Sequence, residues 1–164
     1  MKQLLAASIL LFIAACGFQP IYKTRIDNNE INYEKKLAAI EVRGDKKRIY
    51  QKLQNNLIAI LNPNKIDVPK EYVLTIKIKK NISITFINPT GSAGRNKVTL
   101  EASYELRKIN DDEVIASGHA SAKDDFDIES RRFANYITEE EIELNLTQLI
   151  AQNIRDLLIN DLFK

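Results

Sequence analysis

Cysteine and histidine are nearly absent from this sequence, with one of each among its 164 residues. Cys16 therefore has no partner for a disulfide within the chain. A zinc or redox centre needs several such side chains together, and His119 is far from Cys16 in the sequence. We expect no metal site and no cofactor, and we interpret His119 as a surface residue on the polar face of a strand.

Motifs of catalysis are also missing. The segment 91–95 lacks the Gly-Lys-Ser/Thr ending of a phosphate loop, and no serine lies in a Gly-x-Ser-x-Gly context. The aspartates at 124, 125 and 127 lack the glycine and the distal glutamate of a calcium loop. The acidic run at 139–141 is explained as helix capping. We predict that the protein is not an enzyme.

A large charge of one sign is missing as well. Lys and Arg number 24 and Asp and Glu number 22, which gives a net charge of +2 at pH 7. The two signs are mixed along the chain, so there is no bulk electrostatic argument for nucleic acid as a partner. Tryptophan is absent, and no internal repeat or low-complexity tract occurs.

The one clear apolar run lies at the front of the chain. Lys2 precedes an uncharged stretch at 4–15, which is shorter than the roughly 20 residues that a membrane-spanning helix needs. This pattern indicates an export signal. It ends in Ile-Ala-Ala followed by Cys16, which resembles the bacterial lipobox, where the cysteine thiol receives lipid. The alternative is an ordinary signal in which Cys16 is merely a small residue.

The chain is therefore predicted to have three parts. Residues 1–15 form a lipoprotein signal peptide, residues 16–35 form the lipid anchor and a polar tether, and residues 36–164 form a single domain. In lipoproteins of this kind Asp after the cysteine favours the inner membrane. Gly17 therefore implies the outer membrane, with the domain on the periplasmic side or within a barrel lumen.

Hydrophobic periodicity predicts the elements of that domain. Tyr72–Phe86 alternates strictly, with apolar side chains at most even positions, which is typical of a long strand. Asp45 and Thr138 are expected to cap the two helices, Thr138 together with Glu141 in a capping box. The predicted elements are a strand at Leu37–Val42, a helix at Lys46–Leu61, strands at Tyr72–Phe86, Lys97–Arg107 and Glu113–Lys123, and a helix from Thr138 onward.

The order β-α-β-β-β-α predicts an α+β fold. We expect a two-layer sandwich in which a four-stranded, mostly antiparallel sheet carries two helices on one face. The other face is rich in Ser, Thr, Lys and Glu. A solvated sheet face explains this composition, and so does insertion into the polar lumen of a membrane β-barrel.

Four basic residues lie in or next to predicted irregular segments. Arg95 and Lys97 flank the tip of the long hairpin, and Arg131 and Arg132 precede the last helix. One interpretation is solvated charge. The other is recognition of an anionic group such as phosphate, for which the guanidinium group of arginine is well shaped.

The residues after the leader carry a family resemblance. Cys16-Gly17-Phe18-Gln19-Pro20-Ile21-Tyr22 resembles the mature N-terminus of the lipopolysaccharide-assembly lipoprotein LptE family, which commonly reads Cys-Gly-Phe-x-Pro-Leu-Tyr. Only Ile21 departs from that pattern.

This resemblance implies a non-enzymatic outer-membrane lipoprotein anchored through Cys16. Such a protein plugs the LptD barrel, assists its assembly and binds lipopolysaccharide on its way to the outer leaflet. Arg95, Lys97, Arg131 and Arg132 are the candidate lipopolysaccharide-binding residues, chosen from loop placement. The alternative function is a periplasm-facing accessory subunit of another envelope transport machine.

Overall fold

The computed structural model describes residues 28–89 and 91–162, and Cys16 with the predicted signal peptide lies outside them. The described part has the predicted α+β fold. Its elements are α1 (Asn28–Ala38), β1 (Ile40–Gly44), α2 (Arg48–Leu61), β2 (Tyr72–Ile87), β3 (Ala93–Lys108), β4 (Val114–Asp127) and α3 (Arg132–Leu162).

The four strands form one sheet in the order β1-β2-β3-β4. β1 is parallel to β2, and the other two pairings are antiparallel. β1 is short and pairs only with Tyr72–Ile76. In the described part of the chain, β2 therefore has a strand on one side only from Lys77 to Ile87, and we call this stretch the free edge of β2.

Both long helices cover one face of the sheet. α3 packs on β3 and β4, and α2 packs on β1, on the start of β2 and on α3. The alternating side chains of the strands meet the apolar stripes of the helices, which is how a two-layer fold excludes water from its core. The fully buried core side chains include Leu53, Leu57, Leu74, Ile76, Val98, Leu100, Leu106, Ile150, Ile154 and Leu158.

The predicted helix caps are wrong. Asp45 accepts a hydrogen bond from the backbone N–H of Lys46 at 2.8 Å, and α2 begins later, after Lys47, which makes no side-chain cap. Thr138 and Glu141 lie inside α3, because that helix begins at Arg132. In the short segment between β4 and α3, the backbone N–H of Glu129 donates to the Asn135 side-chain oxygen and its carbonyl accepts from the Asn135 amide nitrogen, each at 2.8 Å.

The front of the domain also differs from the prediction. α1 begins at Asn28 and so occupies the last part of the segment predicted as a tether. Its last turn contains Leu37 and Ala38, which are buried but were assigned to the first strand. β1 follows directly, at Ile40.

An ion cluster lies where the apolar core ends. The Glu143 side chain is only 7% exposed, and its two carboxylate oxygens lie 2.7 Å from the Nζ atoms of Lys52 and Lys80. Lys52 is also 3.0 Å from Glu140, and Lys80 is 2.6 Å from Glu139. The cluster therefore ties α2, β2 and α3 together with every buried charge paired.

The cluster holds Glu143 in its charged form. Burial opposes ionisation, but the hydrogen bonds from Lys52 and Lys80 outweigh it, so the pKa of Glu143 lies below its ordinary value. The same ion pairs raise the pKa of both lysines against the effect of their partial burial.

Replacing Glu143 with Gln should destabilise the fold. Breaking a fully buried ion pair costs roughly 3–5 kcal/mol. We expect about 2 kcal/mol here, because Lys52 and Lys80 keep Glu140 and Glu139 as partners. Urea unfolding at pH 7 measures this free energy. Glu141→Gln is the matched control, since Glu141 is exposed on the same helix turn.

The same pair of variants gives a pH signature. A carboxyl group whose pKa is lowered by folding contributes stability above its unfolded pKa, and this contribution is lost as the pH falls through the folded pKa. The native chain should therefore lose more unfolding free energy than Glu143→Gln does between pH 6 and acid conditions. Parallel pH curves for the two proteins would contradict the assigned role of Glu143.

Candidate interaction surface at the hairpin end of the sheet

The β2–β3 turn and the strand residues beside it form one end of the sheet, here called the hairpin end. Asn88 closes the turn through its backbone N–H, which donates to the Ser92 carbonyl at 2.7 Å. Gly91 adopts a φ of 82°, a conformation that favours glycine. A side chain at Gly94 would meet Phe86 and Asn88, each with an atom 2.7 Å from the added carbon.

Phe86 does not follow the alternation predicted for it. The register shifts between Ile84 and Phe86, so Phe86 lies opposite Arg95 whereas Ile84 lies opposite Asn96. A bulge of this kind re-aims the side chain that follows it. Phe86 is 54% exposed and lines a depression with Arg95 and Lys97 on the face opposite the helices, here called the outer face.

The structure brings Arg95 and Lys97 together but gives both a carboxylate partner. The Arg95 Nε atom lies 2.7 Å from Asp127, and the Lys97 Nζ atom lies 3.9 Å from Asp125. The hydrogen bond between Arg95 and Asp127 raises the pKa of the arginine and lowers that of the aspartate. Two cations and two anions share this depression, so it has no excess of positive charge.

Arg131 and Arg132 lie elsewhere, at the start of α3. Both side chains are exposed. Arg132 lines a second depression, on the helix side of the sheet, with Asn96 and Tyr136 among its neighbours. Of the four predicted basic residues, Arg95 and Lys97 therefore lie on the outer face and Arg132 lies on the helix side.

A different group of cations lines a groove on the outer face. Across the strands, Lys77 of β2 lies in one row with Ser103 and His119. Lys79 lies in another row with Glu101 and Ser121, and all six residues line the groove. Within the described residues, neither lysine has a carboxylate oxygen within 4 Å. The strand alternation already placed these lysines outward, but only the cross-strand register shows which side chains flank them. His119 is exposed, as expected of a surface residue.

Large apolar side chains are exposed on the helix side of the hairpin end. Ile82 and Ile84 are 40% and 57% exposed, because neither α2 nor the main part of α3 covers this half of β2. Phe133, Tyr136 and Ile137 share one face of α3 and are 75%, 50% and 40% exposed. We call these five residues the hairpin-end apolar patch, and such a cluster is typical of an interaction site.

The described residues contain no group of three or more His, Cys, Asp or Glu side chains that could hold a metal ion. Among the helices that the structure describes, none combines the length and the apolar character needed to cross a membrane.

Three solved structures share this fold at low sequence identity. A candidate lipoprotein from Caulobacter crescentus is 16% identical with a TM-score of 0.65, and the match covers 82% of this chain and 98% of that one. A minor lipoprotein from Acinetobacter baumannii is 13% identical with a TM-score of 0.59, covering 74% and 90%. Rare lipoprotein B from Shewanella oneidensis is 14% identical with a TM-score of 0.53, covering 74% and 96%.

No protein-family model matches the chain, and no curated protein matches it significantly. The structural likeness therefore assigns a class of fold, the two-layer α+β domain found in these bacterial lipoproteins. The matched region covers 90% to 98% of each of these three structures.

The carboxylates beside Arg95 should suppress anion binding there. We expect Asp125→Asn with Asp127→Asn to bind inorganic pyrophosphate several-fold more tightly, because the exposed pairs are weak and removing them releases both cations. NMR titration of the surrounding amides measures the affinity. Asp111→Asn with Asp112→Asn is the control, since it changes the net charge equally at the far end of the sheet. An equal gain in both variants would show a bulk charge effect only.

Proposed function

We propose that the chain is a non-enzymatic outer-membrane lipoprotein of the LptE kind, anchored by lipid on Cys16. In this function it plugs an LptD-like barrel, assists the assembly of that barrel and binds lipopolysaccharide during its delivery to the outer leaflet. The Cys16–Tyr22 sequence supports the anchor and the family, and the lipoproteins that share the fold support a lipid-anchored role.

The structural observation that carries the plug is the polar outer face. β2 and β3 contain 16 residues each, so the sheet is about 50 Å long at ~3.3 Å per residue. Its outer face bears Thr, Ser, Lys and Glu in successive rows, including Thr75, Glu105 and Ser117 in one of them. A long polar face of this kind suits the wet lumen of a large barrel.

The direction of the chain fits an anchored plug. α1 leads into β1, which pairs with the start of β2, and the β2–β3 turn lies at the opposite end of the sheet. A lipid on Cys16 would therefore attach the domain at one end and leave the hairpin end projecting away from the anchor. The hairpin is the part that would reach deepest into a barrel.

Lipopolysaccharide offers phosphates to cationic side chains. Lys77 and Lys79 suit them best, because they have no carboxylate partner within the described residues, whereas Arg95 and Lys97 must first leave Asp127 and Asp125. Arg131 and Arg132 would meet a ligand only on the helix side. We therefore propose Lys77 and Lys79 as the first contacts and Arg95 and Lys97 as secondary ones.

A second function is favoured by the hairpin-end apolar patch. Exposed Ile84 and Phe133 suit a protein partner whether or not it is a barrel. The chain would then be an accessory subunit of another envelope transport machine, facing the periplasm. Fractionation with the inner membrane would favour this function over the first.

The anchor and the barrel are tested by one purification. We expect the native chain to fractionate with the outer membrane and to bring down a large β-barrel protein in mild detergent. Cys16→Ser should lose the lipid and leave the membrane fraction, because the thiol is the attachment point. Gln152→Ala, an exposed change on α3 and so on the opposite side of the sheet, serves as the control. Recovery of the lipidated chain without any barrel would exclude the plug.

Lipopolysaccharide binding is tested by two double variants. Lys77→Ala with Lys79→Ala should weaken binding more than Arg95→Ala with Lys97→Ala, because only the second pair is already neutralised by carboxylates. Binding to immobilised lipopolysaccharide at two salt concentrations measures this, and Lys46→Ala with Lys65→Ala controls for net charge. Unchanged binding in both outer-face variants would remove the outer face from the proposal.

A further inference from the structure

The free edge of β2 has a paired strand on one side only in the described part of the chain. β1 stops at Gly44, opposite Ile76, and the described chain then turns into α2 without pairing with β2 again. Along Lys77–Ile87, alternate residues therefore direct backbone N–H and C=O groups away from β3, and no strand of the described residues pairs with them. A row of unpaired donors and acceptors at this spacing matches an extended polypeptide backbone.

The side chains along this edge differ between the two faces of the sheet. On the helix side the edge presents Ile82 and Ile84, and the α3 residues Phe133, Tyr136 and Ile137 lie on the same side. Asn96, the cross-strand partner of Ile84, lines a depression together with Tyr136, which brings the two parts of the patch close. The hydroxyl of Tyr136 also accepts a 3.4 Å hydrogen bond from Arg48, so this face of α3 turns toward α2 and β2.

On the outer side the same edge presents positive charge. Lys77 and Lys79 lie there without a carboxylate within 4 Å in the described residues. Lys80, which faces the helices, already forms ion pairs with Glu139 and Glu143. A strand added beside β2 would thus meet apolar side chains on one face and two lysines on the other.

We propose that the free edge of β2 binds an extended segment of a partner protein by strand addition. The segment alternates apolar residues, which pack on the hairpin-end apolar patch, with acidic residues, which pair with Lys77 and Lys79. Backbone pairing supplies affinity and the two rows of side chains supply selectivity. This inference does not depend on a barrel partner or on lipopolysaccharide.

Lysines on an edge strand also protect sheets from unwanted pairing, so an experiment must distinguish attraction of an acidic strand from protection against any strand. Two synthetic peptides do so, one alternating Val with Glu and one alternating Val with Lys. The full chain in mild detergent is mixed with each, and hydrogen exchange of the β2 amides is followed. We expect the Val-Glu peptide to slow exchange along 77–87 and the Val-Lys peptide to bind at least about tenfold more weakly, since like charges repel across a strand pair.

Two exposed substitutions locate the site. Ile84→Lys should weaken the Val-Glu peptide about tenfold, because a charge replaces the centre of the apolar row. Ile109→Lys is its control, since Ile109 is similarly exposed in the β3–β4 connection at the other end of the sheet. Lys77→Glu with Lys79→Glu should reverse the peptide preference, whereas Lys123→Glu on the outer face of β4 should not.

Three results would overturn the proposal. The first is no protection of 77–87 by either peptide. The second is equal binding of both peptides to the native chain, which would leave Lys77 and Lys79 as protective charges only. The third is protection that rises with protein concentration when no peptide is present, which would identify the occupant of the edge as a second copy of this chain.

Discussion

The arrangement of the domain depends on the carboxylate of Glu143. One side chain of α3 bonds lysines from α2 and from β2 at the point where the apolar core stops, so it fixes both helices against the sheet. Its pKa is lowered despite burial, because the hydrogen bonds and charges of Lys52 and Lys80 favour the carboxylate form. Toward the start of β2 the layers are held by apolar packing. Beyond Lys80 that packing ends on β2, where Ile82 and Ile84 are exposed, although Val98 and Phe126 stay buried on β3 and β4.

Alternation and helical periodicity are local properties, and they predicted the fold class, the strand order along the chain and most of the core. The missed features are tertiary. Lys80 interrupts the apolar row of β2 and has a role only because Glu139 and Glu143 lie across from it. α3 begins at Arg132 rather than at Thr138, and its first turn is joined to the preceding segment by the bonds between Asn135 and Glu129, which are not local in the sequence pattern.

The candidate site was predictable only in part, for a related reason. The strand pattern placed Lys77 and Lys79 on the polar face, and Arg95 and Lys97 were chosen from their position at the tip of the hairpin. The sequence does not show which of these cations have a carboxylate beside them. Arg95 and Asp127 are distant in the sequence but adjacent across the strands. This ion pair neutralises the charge of Arg95, which the sequence had offered as an anion-binding residue. The bulge before Phe86 could not be predicted from the sequence either, because it depends on how β2 pairs with β3 next to the turn.

The shortness of β1 divides the sheet into two halves of unequal cooperativity. Around Tyr72–Ile76 the sheet is four strands wide and carries the packed helices, so local opening there should cost nearly the free energy of global unfolding. Around Ile82–Ile87 the sheet is three strands wide and its apolar side chains are exposed, so opening there should cost less free energy. Fluctuations should therefore concentrate in the hairpin half, which can adapt its twist to a bound surface while the other half stays a rigid base. A domain built in this way separates the half that keeps the fold from the half whose apolar side chains are exposed.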